Sequence, residues 1–461
     1  MTKSRLMHNP DPISRHRRFW PIALCAITLL ALVLRVYYVR TAVVDHPIRG
    51  DAALYYAYAL NLNLHGVFSK DDPGAAVVTA DSYRDPGYPL FLCVWMKAFG
   101  WADAWYLAVL LSQALLGALT VTLAAQLGRY WLEPNWAAGG GVLIALWPHS
   151  IAINGYLLTE TLSGFLCALG LLLCARAYRQ ENPRWAIAAG LVLGAAALTN
   201  AVLLPFGILL AGLLAWRKLA PRKICVALLA GALVLPGIWA IRNTQISHEV
   251  AGSSAKDRAL QTFVVGSWPD YGVAWRASIS GDAAQKANAE VTLHTASIES
   301  AALQANFPYG AEMILQRLSE HPWRYAAWYL FEKPLELWNW DIQIGQGDIY
   351  VYPTTNSPFQ VNPVWMALAA ICRALNWLLL LLALASLYFT STKRHRLDGW
   401  DQRASRAALI GATCLPAFAT LVYTVLQVEP RYSIAFRPFE ILLAITTVAG
   451  ITRALARRTT D

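Results

Sequence analysis

Charge is scarce in this chain of 461 residues. Asp, Glu, Lys and Arg make up 14% and hydrophobic residues 57%, whereas soluble domains carry about 25% charge. That excludes an ordinary soluble domain. Cysteine occurs seven times, scattered and mostly inside apolar runs, with no CxxC, so neither a disulfide framework nor a metal knuckle is indicated. The nine histidines form no HExxH or other ligand spacing. No GxGxxG or P-loop follows a strand, so a soluble nucleotide sugar used on the cytoplasmic side is not the expected donor. Repeats and low-complexity tracts are also missing.

What is present is a series of apolar runs near the length that spans a bilayer, about 20 residues. They fall at roughly 19–40, 103–128, 136–153, 156–176, 184–199, 201–216, 223–241, 363–390, 406–427 and 434–453. The first is too long for a signal-peptide core and lacks a good cleavage site, so a retained signal-anchor helix is expected. The net charge of +10 is largely topological. Arg15, Arg17 and Arg18 precede the first run. Arg176, Arg179 and Arg184 fill one short loop, and Arg217, Lys218, Arg222 and Lys223 the next. Lys393, Arg394, Arg396, Arg403 and Arg406 fill a later one, and Arg453, Arg457 and Arg458 close the chain. By the positive-inside rule these clusters face the cytoplasm, with both termini, and the span count is even. The charge is therefore no sign of nucleic acid.

Two segments are expected on the opposite face. The loop 41–102 contains amphipathic stretches at 52–64 and 88–99, suited to the membrane surface. The loop 242–362 is the larger polar region; 283–303 reads as a soluble helix. The aromatic-rich 311–340 reads as an interfacial helix or re-entrant pair, broken at Pro322 and Pro334. The chain thus divides into a transmembrane module 1–241, the loop 242–362, and C-terminal transmembrane helices 363–461.

Charged residues in these apolar surroundings carry the chemical signal. Gly50-Asp51-Ala52 opens the first stretch, where Asp51 is either a helix cap or a base beside an acceptor hydroxyl. Ser82-Tyr83-Arg84-Asp85-Pro86-Gly87-Tyr88 opens the second. Its arginine offers a planar fork of donors suited to phosphate, unless Arg84 and Asp85 pair locally. Glu160 starts a span, either as an active-site acid or as half of a buried ion pair. Arg242 ends a span on the outer side, as a headgroup anchor or a phosphate clamp. Glu429-Pro430-Arg431-Tyr432 precedes the last span, where Glu429 and Arg431 can also pair. The topology puts all of these on one face.

These motifs, in this order along nearly the whole chain, resemble the GT-C glycosyltransferases. Within that superfamily they are similar to the dolichyl-phosphate-mannose-protein mannosyltransferases and the bacterial lipid A aminoarabinose transferase. The resemblance implies Asp51 as catalytic base, with Glu160 as a second acid. Arg84, Asp85, Tyr88, Arg242, Arg431 and Tyr432 would be substrate-binding. It implies an all-α polytopic membrane protein, a GT-C-like bundle of about 10–12 transmembrane helices with outer-face amphipathic helices and one larger non-cytoplasmic loop. Where many relatives carry Asp-Glu in the first loop, this chain has Asp51-Ala52.

The expected function is transfer of a sugar from a polyprenyl-phosphate donor to a lipid, glycan or protein acceptor facing the periplasm, with inversion. The enzyme would sit in the inner (plasma) membrane among membrane lipids, with no cofactor and no metal site, a divalent metal being compatible but not required. The rivals are a polysaccharide polymerase and a lipid-linked sugar transporter or flippase. Inverted repeats would favour the transporter, and none is found.

Overall fold

The computed structural model describes residues 12–100, 103–246, 252–342, 349–391 and 402–458. The basic residues Lys393, Arg394 and Arg396 lie outside these. The first part of the chain forms α1 (Pro12–Thr41), α2 (Asp51–Leu64), α3 (Gly87–Phe99), α4 (Asp103–Gly128), α5 (Pro134–Leu146), α6 (Pro148–Ala152), α7 (Glu160–Gln180), α8 (Pro183–Thr199), α9 (Phe206–Trp216) and α10 (Arg222–Thr244). An outer region follows with α11 (Ala255–Gly266), α12 (Tyr271–Ser280), α13 (Ala283–Ala305), α14 (Phe307–Glu320), α15 (Pro322–Ala327), α16 (Lys333–Leu337) and α17 (Pro358–Val361). The chain then returns through α18 (Pro363–Ser391), α19 (Gln402–Val425) and α20 (Arg437–Arg458).

Among the described residues, seven helices are long and apolar enough to cross a membrane, lying within α1, α4, α7, α10, α18, α19 and α20. The expected span 136–153 is a bent pair, α5 with α6 and the turn after it, meeting at 61°; counted as one broken span it brings the number to eight. The physical reason is Pro148, which has no N–H and pushes its predecessor out of helical geometry; Trp147 is extended at φ −68°, ψ 117°. The runs at 184–199 and 201–216 are shorter apolar helices, below the roughly 20 residues of a full span. The chain is a multi-pass, all-α membrane protein.

Small residues let the helices close on one another, as is usual where lipid gives no hydrophobic drive to association. The tightest crossing is α8 on α10. A Cβ at Gly190 would stand 2.3 Å from the Leu228 carbonyl oxygen, and one at Gly231 would stand 2.4 Å from that of Ile187. Backbone cannot give way as a flexible side chain would. Gly190→Val should therefore lower the thermal unfolding midpoint of the purified protein, at a cost of about 1–3 kcal/mol for overpacking. An unchanged midpoint would mean that the crossing is looser than described.

The segments that follow α1 and precede α18 are tied together. Val43–Val44 pairs antiparallel with Thr354–Thr355 in a two-stranded sheet. The helix expected at 283–303 is α13, begun by Asp282 in a capping box with Gln285. It packs with α11, α12 and α14, where Arg317 grips Glu299 through two nitrogens at 2.8 and 3.0 Å. Pro322 does begin a new helix. Pro334 does not break one: the chain widens to a π-helical turn at Trp328–Glu332 and continues into α16. From there buried Lys333 donates to the carbonyls of Gly266 (2.9 Å) and Leu426 (2.6 Å). This joins the outer helices to the segment that enters the site.

Candidate functional site

The site starts at Gly50. Its φ of 55° and ψ of −127° are left-side backbone that a side chain resists, and a Cβ there would approach the Tyr352 hydroxyl at 3.3 Å. This turn makes Asp51 the first residue of α2. The cap position belongs to Gly50, with no side-chain cap bond, and both Asp51 oxygens go elsewhere. Oδ1 accepts from Arg84 Nη2 at 2.6 Å and Oδ2 from Arg431 Nη2 at 2.8 Å. Burial alone pushes the Asp51 carboxyl up, but the Arg84 and Arg431 charges outweigh it and hold the group well below the usual carboxylate range. Its contribution to stability is therefore present at neutral pH and is lost only as strong acid protonates it in the folded state.

Arg84 is placed by the turn before α3. Gly87 meets the end of α8 so closely that a Cβ would lie 2.5 Å from Thr199 Oγ1. Asp85 accepts from the Ala201 backbone N–H at 3.1 Å. Arg84 and Asp85 do not pair with each other: Arg84 turns to Asp51, and Asp85 binds Arg258 Nη1 of α11 at 3.1 Å. The Arg84 guanidinium also lies over the Tyr55 ring, 5.2 Å from its centroid.

Arg431 is placed from the other end of the chain. Glu429 accepts from the Arg431 backbone N–H at 3.0 Å and caps the short turn Pro430–Ser433, with Pro430 at its first position. The guanidinium then faces three carboxylates. Beyond Asp51, its Nε lies 3.3 Å from Glu160 Oε1 and 3.5 Å from Glu429 Oε2. Glu160, at the first residue of α7, is thereby half of a buried ion pair as well as a neighbour of Asp51. Four residues far apart in sequence (Asp51, Arg84, Glu160 and Arg431) meet in one network. Asp51 has the most accessible side chain of them, at 29% against 7–10% for the others.

The remaining expected residues sit around this network. Tyr88 is fully buried, donates to Gln113 Oε1 at 2.7 Å and meets Tyr55 edge-on, so it supports the floor. Tyr432 stacks on Tyr423 at 4.9 Å and lies beside the Arg431 guanidinium. Arg242 stands apart. It donates to the carbonyls of Asp81 at 2.6 Å and Phe68 at 3.4 Å, and Asp81 in turn is bound by the Tyr58 hydroxyl. Arg242 thus secures the loop that carries Arg84. Arg258 was not singled out by sequence, because it lies in an ordinary polar helix start. Only the fold brings it to Asp85.

A divalent metal does not fit these residues as they are arranged. The Asp51 oxygens that would ligate it are held by guanidinium nitrogens. No cluster of three or more His, Cys, Asp or Glu able to hold a metal occurs among the described residues. The positive charge at this site is that of arginine.

No protein-family model matches the sequence, and no curated protein matches it. Solved structures do. The oligosaccharyltransferase AglB of Archaeoglobus fulgidus, in complex with an inhibitory peptide and a dolichol-phosphate, aligns over 96% of this chain and 51% of its own, at 15% identity and a TM-score of 0.52. The same enzyme tethered to an acceptor peptide aligns over 96% and 51%, at 12% identity and a TM-score of 0.53. ArnT of Cupriavidus metallidurans bound to undecaprenyl phosphate aligns over 94% and 78%, at 15% identity and a TM-score of 0.39, too loose a match to add weight. The chain spans about half the length of the oligosaccharyltransferase it matches. At these identities the likeness is one of fold: nearly the whole chain shares the fold of the aligned half of the archaeal oligosaccharyltransferase.

Proposed function

We propose that this chain is a glycosyltransferase moving a sugar from a polyprenyl-phosphate donor to a lipid, glycan or protein acceptor at the periplasmic face of the inner membrane, both termini being cytoplasmic. The observation that carries this reading is Asp51 held between Arg84 and Arg431 at the start of an outer-face helix. A carboxylate and two guanidiniums are the parts needed to deprotonate a hydroxyl and to receive a departing phosphate. The dolichol-phosphate bound to the archaeal enzyme of similar fold supports a lipid-phosphate donor.

The geometry suggests an order of events. With both arginines on Asp51, the carboxylate is too weakly basic to act. A donor phosphate competes for the same guanidiniums, which prefer planar, bidentate oxyanions. As Arg84 and Arg431 turn to the phosphate, Asp51 loses the charges that depress it and becomes a base only when the donor is bound. It then takes the acceptor proton while the acceptor oxygen attacks the anomeric carbon. The bond from that carbon to the phosphate oxygen breaks, and polyprenyl phosphate leaves onto the two arginines, preorganised for that charge. One displacement inverts the anomeric centre. Glu160 and Glu429 hold Arg431 in place, and Asp85 with Arg258 holds the Arg84 turn.

The test is transfer itself. Membranes containing the protein and given a radiolabelled polyprenyl-phosphate sugar should form labelled acceptor and release polyprenyl phosphate. In Arg84→Ala the donor KM should rise about tenfold, for the loss of a charge-assisted bond of roughly 1.5 kcal/mol. Arg84→Lys should recover only part of it. An unchanged donor KM in Arg84→Ala would remove Arg84 from the donor site.

A further inference from the structure

Behind the network, inside the membrane bundle, is a small cavity between α1, α4, the α6–α7 connection and the start of α20. Arg35, Gly117, Asn154, Glu160 and Thr161 are among the residues lining it. Its volume of about 30 Å³ leaves room for about two waters, at roughly 10–15 Å³ each. Its polar lining is unusually unsatisfied. Arg35 Nε, Asn154 Oδ1, Glu160 Oε2 and Thr161 Oγ1 are all buried without a hydrogen-bond partner, and these side chains are between 0% and 7% exposed. Gly117 makes the space: a Cβ there would stand 2.5 Å from Asn154 Oδ1 and 2.8 Å from Arg35 Nε.

Arg35 lies within the membrane-spanning part of α1, where an arginine is costly and is normally matched by a named partner. Its Nη1 reaches only carbonyls, those of Ala31 at 3.1 Å and Ala145 at 3.3 Å. Glu160 offers the complement: Oε1 faces Arg431, and Oε2 is unpartnered on the same cavity. The charges of the site agree. Asp51, Asp85, Glu160 and Glu429 are four carboxylates against the three guanidiniums of Arg84, Arg258 and Arg431. Arg35 makes the count even.

We infer that Arg35 is a buried positioning residue that keeps Glu160 ionised through one or two water molecules in this cavity. Glu160 so charged holds Arg431 in the orientation that reaches Asp51. The other groups that face Glu160 electrostatically are Arg431, Asp51 and the phenols of Tyr55, Tyr88, Tyr352 and Tyr423. Of these only Arg431 is positive; Arg35 is the second cation in this inference through the cavity that both line, each with an unpartnered polar atom. The inference concerns the charge of one carboxylate and does not depend on the identity of the donor.

The test reads that charge directly. Dicyclohexylcarbodiimide adds to protonated carboxyls in apolar surroundings. Protein in lipid nanodiscs is treated at neutral pH, and the Glu160 peptide is quantified by mass spectrometry. Wild type should label weakly. Arg35→Met should label about tenfold more, the change expected for one pKa unit on loss of an opposite charge. Arg35→Lys should reverse the rise, and Glu160→Gln should abolish it. Gly117→Ala, which crowds Arg35 and Asn154, should raise labelling in the same direction and provides the reading if Arg35→Met does not fold. Strong labelling of wild type, or labelling unchanged in the folded variants, overturns the inference.

Discussion

Asp51→Asn should lower sugar transfer about 10²–10⁴-fold, the usual effect of removing a general base, while leaving the protein folded and inserted. Asparagine keeps the shape and one acceptor oxygen, so one of the two arginine contacts survives. Helix capping cannot account for a loss, because Gly50 occupies the cap position and the Asp51 carboxylate makes no cap bond. The measurement is the initial rate with a labelled polyprenyl-phosphate sugar, at equal amounts of folded protein. A wild-type rate in Asp51→Asn would mean that the carboxylate only holds the arginines in place.

Arg431→Ala should have a different signature, loss of stability together with activity. Removing this guanidinium leaves Asp51 with one partner and strips Glu160 and Glu429 of the cation between them, at 3.3 and 3.5 Å. Breaking a buried pair by deleting one partner costs about 3–5 kcal/mol, because the remaining charge stays buried. A marked fall in the thermal unfolding midpoint is expected. Adding Glu160→Gln to Arg431→Ala should recover part of it, since the double variant buries one fewer uncompensated charge. A midpoint unmoved by Arg431→Ala would show that the carboxylates are solvated well enough to do without it.

The sequence made one half of this site legible and hid the other for identifiable reasons. Asp51, Arg84, Glu160 and Arg431 stand out because each is a charge set against apolar residues at the edge of a membrane run. The alternation of basic loops put them on one face. The stretches 52–64 and 88–99, read as amphipathic, are α2 and α3. Arg242 carries the same local signal, yet it binds loop carbonyls; position at a span end does not say which way a side chain turns. Arg258 has no local signal at all. Arg35 has one, a cation inside the first apolar run. The bend at Trp147–Pro148 was likewise written in the proline, but hydrophobicity ran unbroken across it.

In the proposed mechanism Arg84 and Arg431 receive the phosphate of a lipid-linked donor. The most direct measurement is binding of polyprenyl phosphate and of the corresponding polyprenol to purified protein in nanodiscs. The phosphate should bind about 100-fold more tightly, the equivalent of two charge-assisted bonds of roughly 1.5 kcal/mol each, and Arg84→Ala should remove much of that advantage. Equal affinity for phosphate and alcohol, or a preference for phosphate unaffected by Arg84→Ala, would contradict the account.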